Sequence, residues 1–147
     1  MELLLWRHAD AEQGGDDKAR RLTAKGIKQA TRVAAWLDAR ISRDATMIVS
    51  PAQRARQTAQ ALSRKARTSE AVNVGAQPAD ILKAAGWPVG TGTVVVVGHQ
   101  PTLGAAAALA LTGTAAEWRL RKGSVWWISS SSDGTPTVTA VVTPDLV

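Results

Sequence analysis

Apolar and polar positions along the chain change period several times, and each change marks an element. Leu3 to Trp6 is a short apolar run ending at Arg7, too brief for a helix and suited to a strand buried on both faces. Its place is expected at the centre of a sheet. After Thr23, apolar residues fall at Ile27, Ala30, Ala34, Leu37 and Ile41, while Lys25, Lys28 and Arg32 take other faces. That spacing predicts an amphipathic helix capped at Thr23. Met47 to Val49 predicts a second strand. Ser50-Pro51 then supplies a capping hydroxyl and a proline at the first position of a helix that buries Ala55, Ala59, Leu62 and Ala66.

Residues 68–76 read as loop, Pro78 to Ala85 as a short helix, and Gly86-Trp87-Pro88 with Gly90 and Gly92 as strong punctuation. Thr93 to Val97 holds four consecutive valines, the mark of a parallel strand covered by helices on both sides. Gly98-His99-Gln100-Pro101 leads into an alanine-leucine helix that stops near Gly113. Val125 to Ser130 and Thr137 to Val142 flank Asp133-Gly134, a hairpin signal. The order β-α-β-α-α-β-α-β-β predicts an α/β fold: a three-layer α/β/α sandwich whose mostly parallel central sheet carries an antiparallel edge hairpin. No repeat or linker interrupts it, so residues 1–147 are expected to form one domain.

Composition narrows the function classes. The 147 residues include no cysteine, which excludes a disulfide scaffold, a zinc knuckle and a thiol nucleophile. The longest apolar stretch, Leu103 to Leu111, is about half of a bilayer span, and the first residues have no basic leader, so a cytoplasmic, non-membrane protein is expected. The net charge of +6 is regional: residues 1–68 carry +7 and the remainder −1. Such a field steers anions. Nucleic acid is not the expected partner, because there is no Phe or Tyr and the six Trp are not interleaved with the arginines.

Open parallel sheets bind ligands beyond the carboxyl ends of their strands. The first strand delivers Arg7 and His8 there, the second delivers Ser50 and a helix carrying Arg54, and the valine strand delivers His99; the chain has only these two histidines. Side chains tilt toward the N-terminus of their helix, so Arg54 reaches back over the strand end. Guanidinium groups around an imidazole suit a tetrahedral dianion, and nearby cations keep a histidine neutral and nucleophilic. The implied chemistry is phosphoryl transfer to nitrogen. Two histidines without a carboxylate cluster make a poor metal site, so no metal or other cofactor is expected. Gly86 to Gly92 precedes a strand rather than following one, which excludes a phosphate-cradling loop. Ser129 to Ser132 lacks a nucleophile elbow, and Trp126-Trp127 places one ring on each face of a strand, as packing requires.

The blocks Arg7-His8-Ala9, Ser50-Pro51-Ala52-Gln53-Arg54-Ala55-Arg56-Gln57-Thr58-Ala59 and Gly98-His99-Gln100-Pro101 resemble the signature of the histidine phosphatase superfamily, also called phosphoglycerate mutase-like. The run Arg20-Arg21-Leu22-Thr23-Ala24-Lys25-Gly26 further resembles its SixA phosphohistidine phosphatase branch. The resemblance implies that His8 takes the phosphoryl group, that Arg7 and Arg54 grip its oxygens, that His99 stabilises it in flight, and that Arg20 adds a phosphate-binding arginine. Ala9 stands where the family usually has glycine. Many relatives also place a glutamate before the final histidine to protonate an alkoxide; here only Glu70 and Asp80 lie between Arg67 and His99, in no matching motif. Asp10 and Asp16 are the other carboxylates near the first block. A phosphoramidate nitrogen can carry its own proton, so a missing acid favours phosphohistidine.

These readings predict a metal-independent, monomeric phosphatase with a shallow site and a phosphoenzyme intermediate on His8. The expected partner is a phosphohistidine-bearing protein. The alternatives are a phosphorylated small molecule handled by a phosphomonoesterase of the same superfamily, or a non-catalytic phosphate-binding module.

Overall fold

A computed structural model describes all 147 residues. Its strands are β1 (Glu2–Arg7), β2 (Thr46–Val49), β3 (Lys65–Thr68), β4 (Thr93–Gly98), β5 (Val125–Ser130) and β6 (Pro136–Val142), and its helices α1 (Ala24–Asp38), α2 (Gln53–Gln60), α3 (Pro78–Ala85) and α4 (Thr102–Thr112). The strands form one six-stranded sheet in the order β3-β2-β4-β1-β5-β6. Neighbours from β3 to β1 pair parallel, and β5 and β6 close one edge antiparallel. β1 is therefore central, as its apolar run predicts.

Alternation along β1 builds two cores. Leu4 and Trp6 pack with Val33, Leu37, Ala55 and Ala59 under α1 and α2, whereas Leu3 and Leu5 pack with Ile81, Leu82, Leu103 and Ala107 under α3 and α4. Successive side chains leave opposite faces of a strand, so a four-residue apolar run serves both layers. Trp126 and Trp127 split in the same way: Trp127 meets Trp36 edge-on, with ring centroids 6.1 Å apart, and Trp126 lies 5.7 Å from Trp118 on the other face. The result is the three-layer α/β/α sandwich.

Four details differ from the sequence reading. Ile27 is 53% exposed; the buried stripe of α1 runs through Ala30, Val33, Ala34 and Leu37 instead, and Ile41 packs just beyond the helix end. α2 stops at Gln60. Leu62 is buried beyond it, but Ala66 lies exposed in a strand, β3, where the helix was expected to continue. Residues 68–76 are not all loop, since a 3-10 turn spans Glu70–Val72. Finally, α2 begins two residues later than Ser50-Pro51 implies: Ala52 holds the cap position without a side-chain bond. The Ser50 hydroxyl accepts from the Ala52 N–H at 3.2 Å, before the helix starts. The Thr23 cap forms as expected, with its side chain accepting from the Gly26 N–H at 3.0 Å.

Candidate active site

Strand register brings the site together. β1 and β4 pair Arg7 with Gly98, so the next residue on each is a histidine. The His8 N–H donates to Gly98 O, and the Ser50 N–H donates to Val97 O, both at 3.0 Å. Residues 8, 50 and 99 thus leave three adjacent strands at one level. The imidazole centroids of His8 and His99 are 5.3 Å apart. Both rings border a pocket of about 260 Å³ that Arg7, Arg20, Arg54, Gln100 and Lys122 also line. The structure brings together all five residues singled out from the sequence, and between the two adjacent arginines it is Arg20 rather than Arg21 that reaches the pocket.

The two rings are held differently. His8 Nδ1 lies 2.8 Å from Ala9 O; a carbonyl can only accept, so Nδ1 carries the proton and Nε2 the lone pair. Arg54 Nε–H makes a long 3.3 Å contact to that Nε2. His99 Nε2 meets the Ser50 hydroxyl at 2.7 Å, while its Nδ1 is buried without a partner. Burial is the main force lowering both pKa values. In His8 it outweighs the Ala9 hydrogen bond and, with His99, Arg54 and Arg7 nearby, takes the ring down to about 3. In His99 burial, with Arg54 and then Arg7 and Arg20, brings it down to about 4 against the opposing pull of Asp17. Both rings are neutral at pH 7.

The arginines have fixed supports. Arg54 Nη1 donates to the main-chain oxygen of Asp17 at 2.6 Å, and its Nη2 reaches Asp17 Oδ2 at 3.3 Å. Arg20 donates to Asp17 Oδ1 at 3.1 Å and to Glu12 O at 3.0 Å. Burial opposes ionisation of Asp17, but Arg54 and Arg20 outweigh it and hold the carboxyl below its usual range. Arg7 Nη1 donates to Leu120 O at 2.8 Å, leaving a buried Nε without a partner. Only three buried side-chain polar atoms in the molecule are orphaned, and two of them, Arg7 Nε and His99 Nδ1, belong to residues of this pocket. Orphans of this kind mark a place where a partner is missing.

Sequence reasoning missed Asp17. It sits in a short 3-10 turn, Asp17–Ala19, that no periodicity announces. Thr58 and Gln57, inside the second sequence block, staple the loop after β1 to α2. Thr58 Oγ accepts from the Ala9 N–H at 3.0 Å and donates to Arg54 O at 2.8 Å, and Gln57 accepts from the Leu22 N–H at 2.7 Å. The carboxylates considered as acids stand elsewhere. Asp10 is tied to Thr23 at 2.7 Å and to Lys122 at 3.0 Å, Asp16 caps the 3-10 turn at Lys18, and Glu70 accepts from Asn73. No carboxylate lines the pocket, and no group of three or more His, Asp or Glu could hold a metal ion.

Residues 3–77 match the family model of the histidine phosphatase superfamily, branch 1. The chain belongs to that superfamily. No curated protein sequence matches it significantly. Among solved structures, a candidate phosphohistidine phosphatase SixA from Nakamurella multipartitia aligns with a TM-score of 0.84 at 26% identity, over 97% of this chain and 95% of its own. The protein histidine phosphatase SixA complexed with tungstate aligns at 0.79 and 20% identity over 99% of both chains. A phosphoserine phosphatase from Entamoeba histolytica in complex with 3-phosphoglyceric acid aligns at 0.72 and 18%, over 97% of this chain and 96% of its own. Within the superfamily the chain resembles the SixA branch. Family and neighbours together indicate a phosphatase, a hydrolase acting on phosphoryl groups.

Proposed function

We propose that this single-domain histidine phosphatase removes phosphoryl groups from phosphohistidine on a protein partner, using His8 as nucleophile and needing no metal. The observation that carries the reading is the state of His8: a neutral ring with Nδ1 bonded to Ala9 O and an Nε2 lone pair facing a pocket of guanidinium groups. Nε2 attacks phosphorus, the bond from phosphorus to the substrate nitrogen breaks, and that nitrogen takes the bonding pair, leaving as a neutral imidazole whose other ring nitrogen holds the proton. Water then attacks the phosphorylated His8, releasing inorganic phosphate and regenerating the ring. Arg54 shifts its Nε–H from the lone pair to a phosphoryl oxygen as the group arrives, while Arg7 and Arg20 take the others. His99, whose Nδ1 lacks a partner, flanks the moving group.

Substrate class follows from the lining. An alkoxide leaves poorly without a proton donor, and no carboxyl group borders the pocket, whereas an imidazole protonated on its other ring nitrogen leaves as a neutral group. No helix is long and apolar enough to cross a membrane. The proposed enzyme is a monomer that meets its protein substrate in the cytoplasm. A side-by-side assay tests the reading: a phosphohistidine protein is hydrolysed far faster than an aryl or sugar phosphate, and radiolabel from it is trapped on the enzyme. Equal turnover of ordinary esters would favour a small-molecule phosphomonoesterase, and absence of label would favour a binding module.

A further inference from the structure

One wall of the pocket continues into a larger depression of about 760 Å³, and Arg7 and Lys122 line both. α1 forms one side of this basin and the 119–122 segment another, with the 143–145 turn at its end and Pro144 the one apolar side chain in the lining. Seven lining residues are cationic and two are acidic, and one of those acids, Asp10, is already paired with Lys122. Lys25, Lys28, Arg32, Arg119 and Arg121 form no ion pair. Other arginines of the molecule are placed differently: Arg43 and Arg64 share Asp38, and Arg40 lies 4.5 Å over the Trp36 ring. Like charges three and four residues apart on a helix repel, so the row on α1 is a cost, relieved at Lys25 by the nearby carboxylate of Asp10.

On the proposed mechanism the phosphoryl group sits in the smaller pocket, beside His8 and Arg54, and the basin is left for whatever carries it. We propose that the basin is a docking surface for an acidic helix of the phosphorylated protein partner. The identity of that partner rests on the phosphohistidine reading above. Lys25, Lys28 and Arg32 rise along α1 over about 10 Å, two helical turns, which matches carboxylates placed at the same spacing on a partner helix. A lining without aromatic rings offers no platform for stacked bases, which disfavours single-stranded nucleic acid. With seven cations and one apolar side chain in the lining, such docking acts mainly through long-range attraction, speeds encounter and weakens in salt.

The test is fluorescence anisotropy with a labelled helical peptide bearing Glu at this spacing, its Gln counterpart, and a single-stranded oligonucleotide, each against the full chain and against Lys28→Glu/Arg32→Glu. Both substituted side chains are exposed, and a melting curve checks that the variant folds. The Glu peptide is expected to bind the unaltered chain at low salt and to lose about tenfold or more in affinity with the double variant, and again in about 0.5 M salt. The Gln peptide is expected to show neither loss. Equal Glu-peptide binding by both proteins, or none by the unaltered one, overturns the proposal, as does an oligonucleotide that binds tighter than the peptide and loses more in the variant. Anisotropy requires no phosphoryl transfer. A chain unable to hydrolyse phosphohistidine would refute the catalytic reading and leave this measurement standing, while active enzyme with unmoved anisotropy would refute the docking surface alone.

Discussion

The small pocket and the wide basin share two cations and differ in everything that holds the rest. In the pocket each arginine has fixed protein partners: Asp17 and Glu12 O for Arg20, Asp17 for Arg54, and Leu120 O for Arg7. In the basin five cations stand without an ion pair. Held donors suit a charge that develops in a transition state, because no reorganisation is needed at the moment of reaction. Loose cations in water suit a partner that arrives from a distance. Changes in the pocket should therefore reach kcat, and changes in the basin should reach kcat/KM and its salt dependence.

The largest effect that would break this contrast belongs to His8. His8→Ala is expected to reduce turnover to background and abolish radiolabelling by a phospho-donor; label persisting on another residue would reassign the nucleophile. Arg54→Ala should cost about 10²–10³-fold in kcat and weaken vanadate binding, and unchanged affinity would remove it from the cage. A stability measurement comes next. A Cβ at Gly26 would stand 2.0 Å from the main-chain oxygen of Asp10, which cannot swing aside as a side chain would, so Gly26→Ala is expected to destabilise by about 1–3 kcal/mol in urea unfolding. Asp17→Asn should lower kcat by less than about tenfold, because the 2.6 Å bond to Arg54 comes from the main chain.

Acid sharpens the contrast without any substitution. The folded pKa values of His8 and His99, about 3 and about 4, lie below the ordinary 6.5. Between those limits the unfolded chain binds more protons. Stability is full above pH 6.5 and falls as pH drops through the window, by about 1.4 kcal/mol per unit for each histidine. The imidazole NMR signals are expected to show no titration between pH 7 and about 5, and a midpoint near 6.5 would contradict the buried, neutral pair. The smallest expected effect is none: chelator should leave activity intact, and its loss would refute the metal-free mechanism.

Much of the site was legible because its residues follow strands that read clearly. The valine run of β4 and the short apolar run of β1 are unmistakable, and parallel register then makes His8 and His99 neighbours. β3 was invisible for the opposite reason. Lys65-Ala66-Arg67-Thr68 is an edge strand with every residue exposed, and edges guarded by charge carry no burial pattern. Asp17 escaped because its role arises from a turn brought against α2 by tertiary packing. Ile27 misled because the spacing that includes it also admits the slightly rotated stripe through Val33, and only the packed layers decide between them.

The bond from His8 Nδ1 to Ala9 O makes the ring's orientation a property of the peptide that follows it. Arg54 takes no part in that anchor, whereas Thr58, which accepts from the Ala9 N–H, supports it. A descendant that lost Arg54 would keep a correctly turned but unassisted nucleophile, and guanidinium supplied from solution would be able to restore part of what the missing side chain had done.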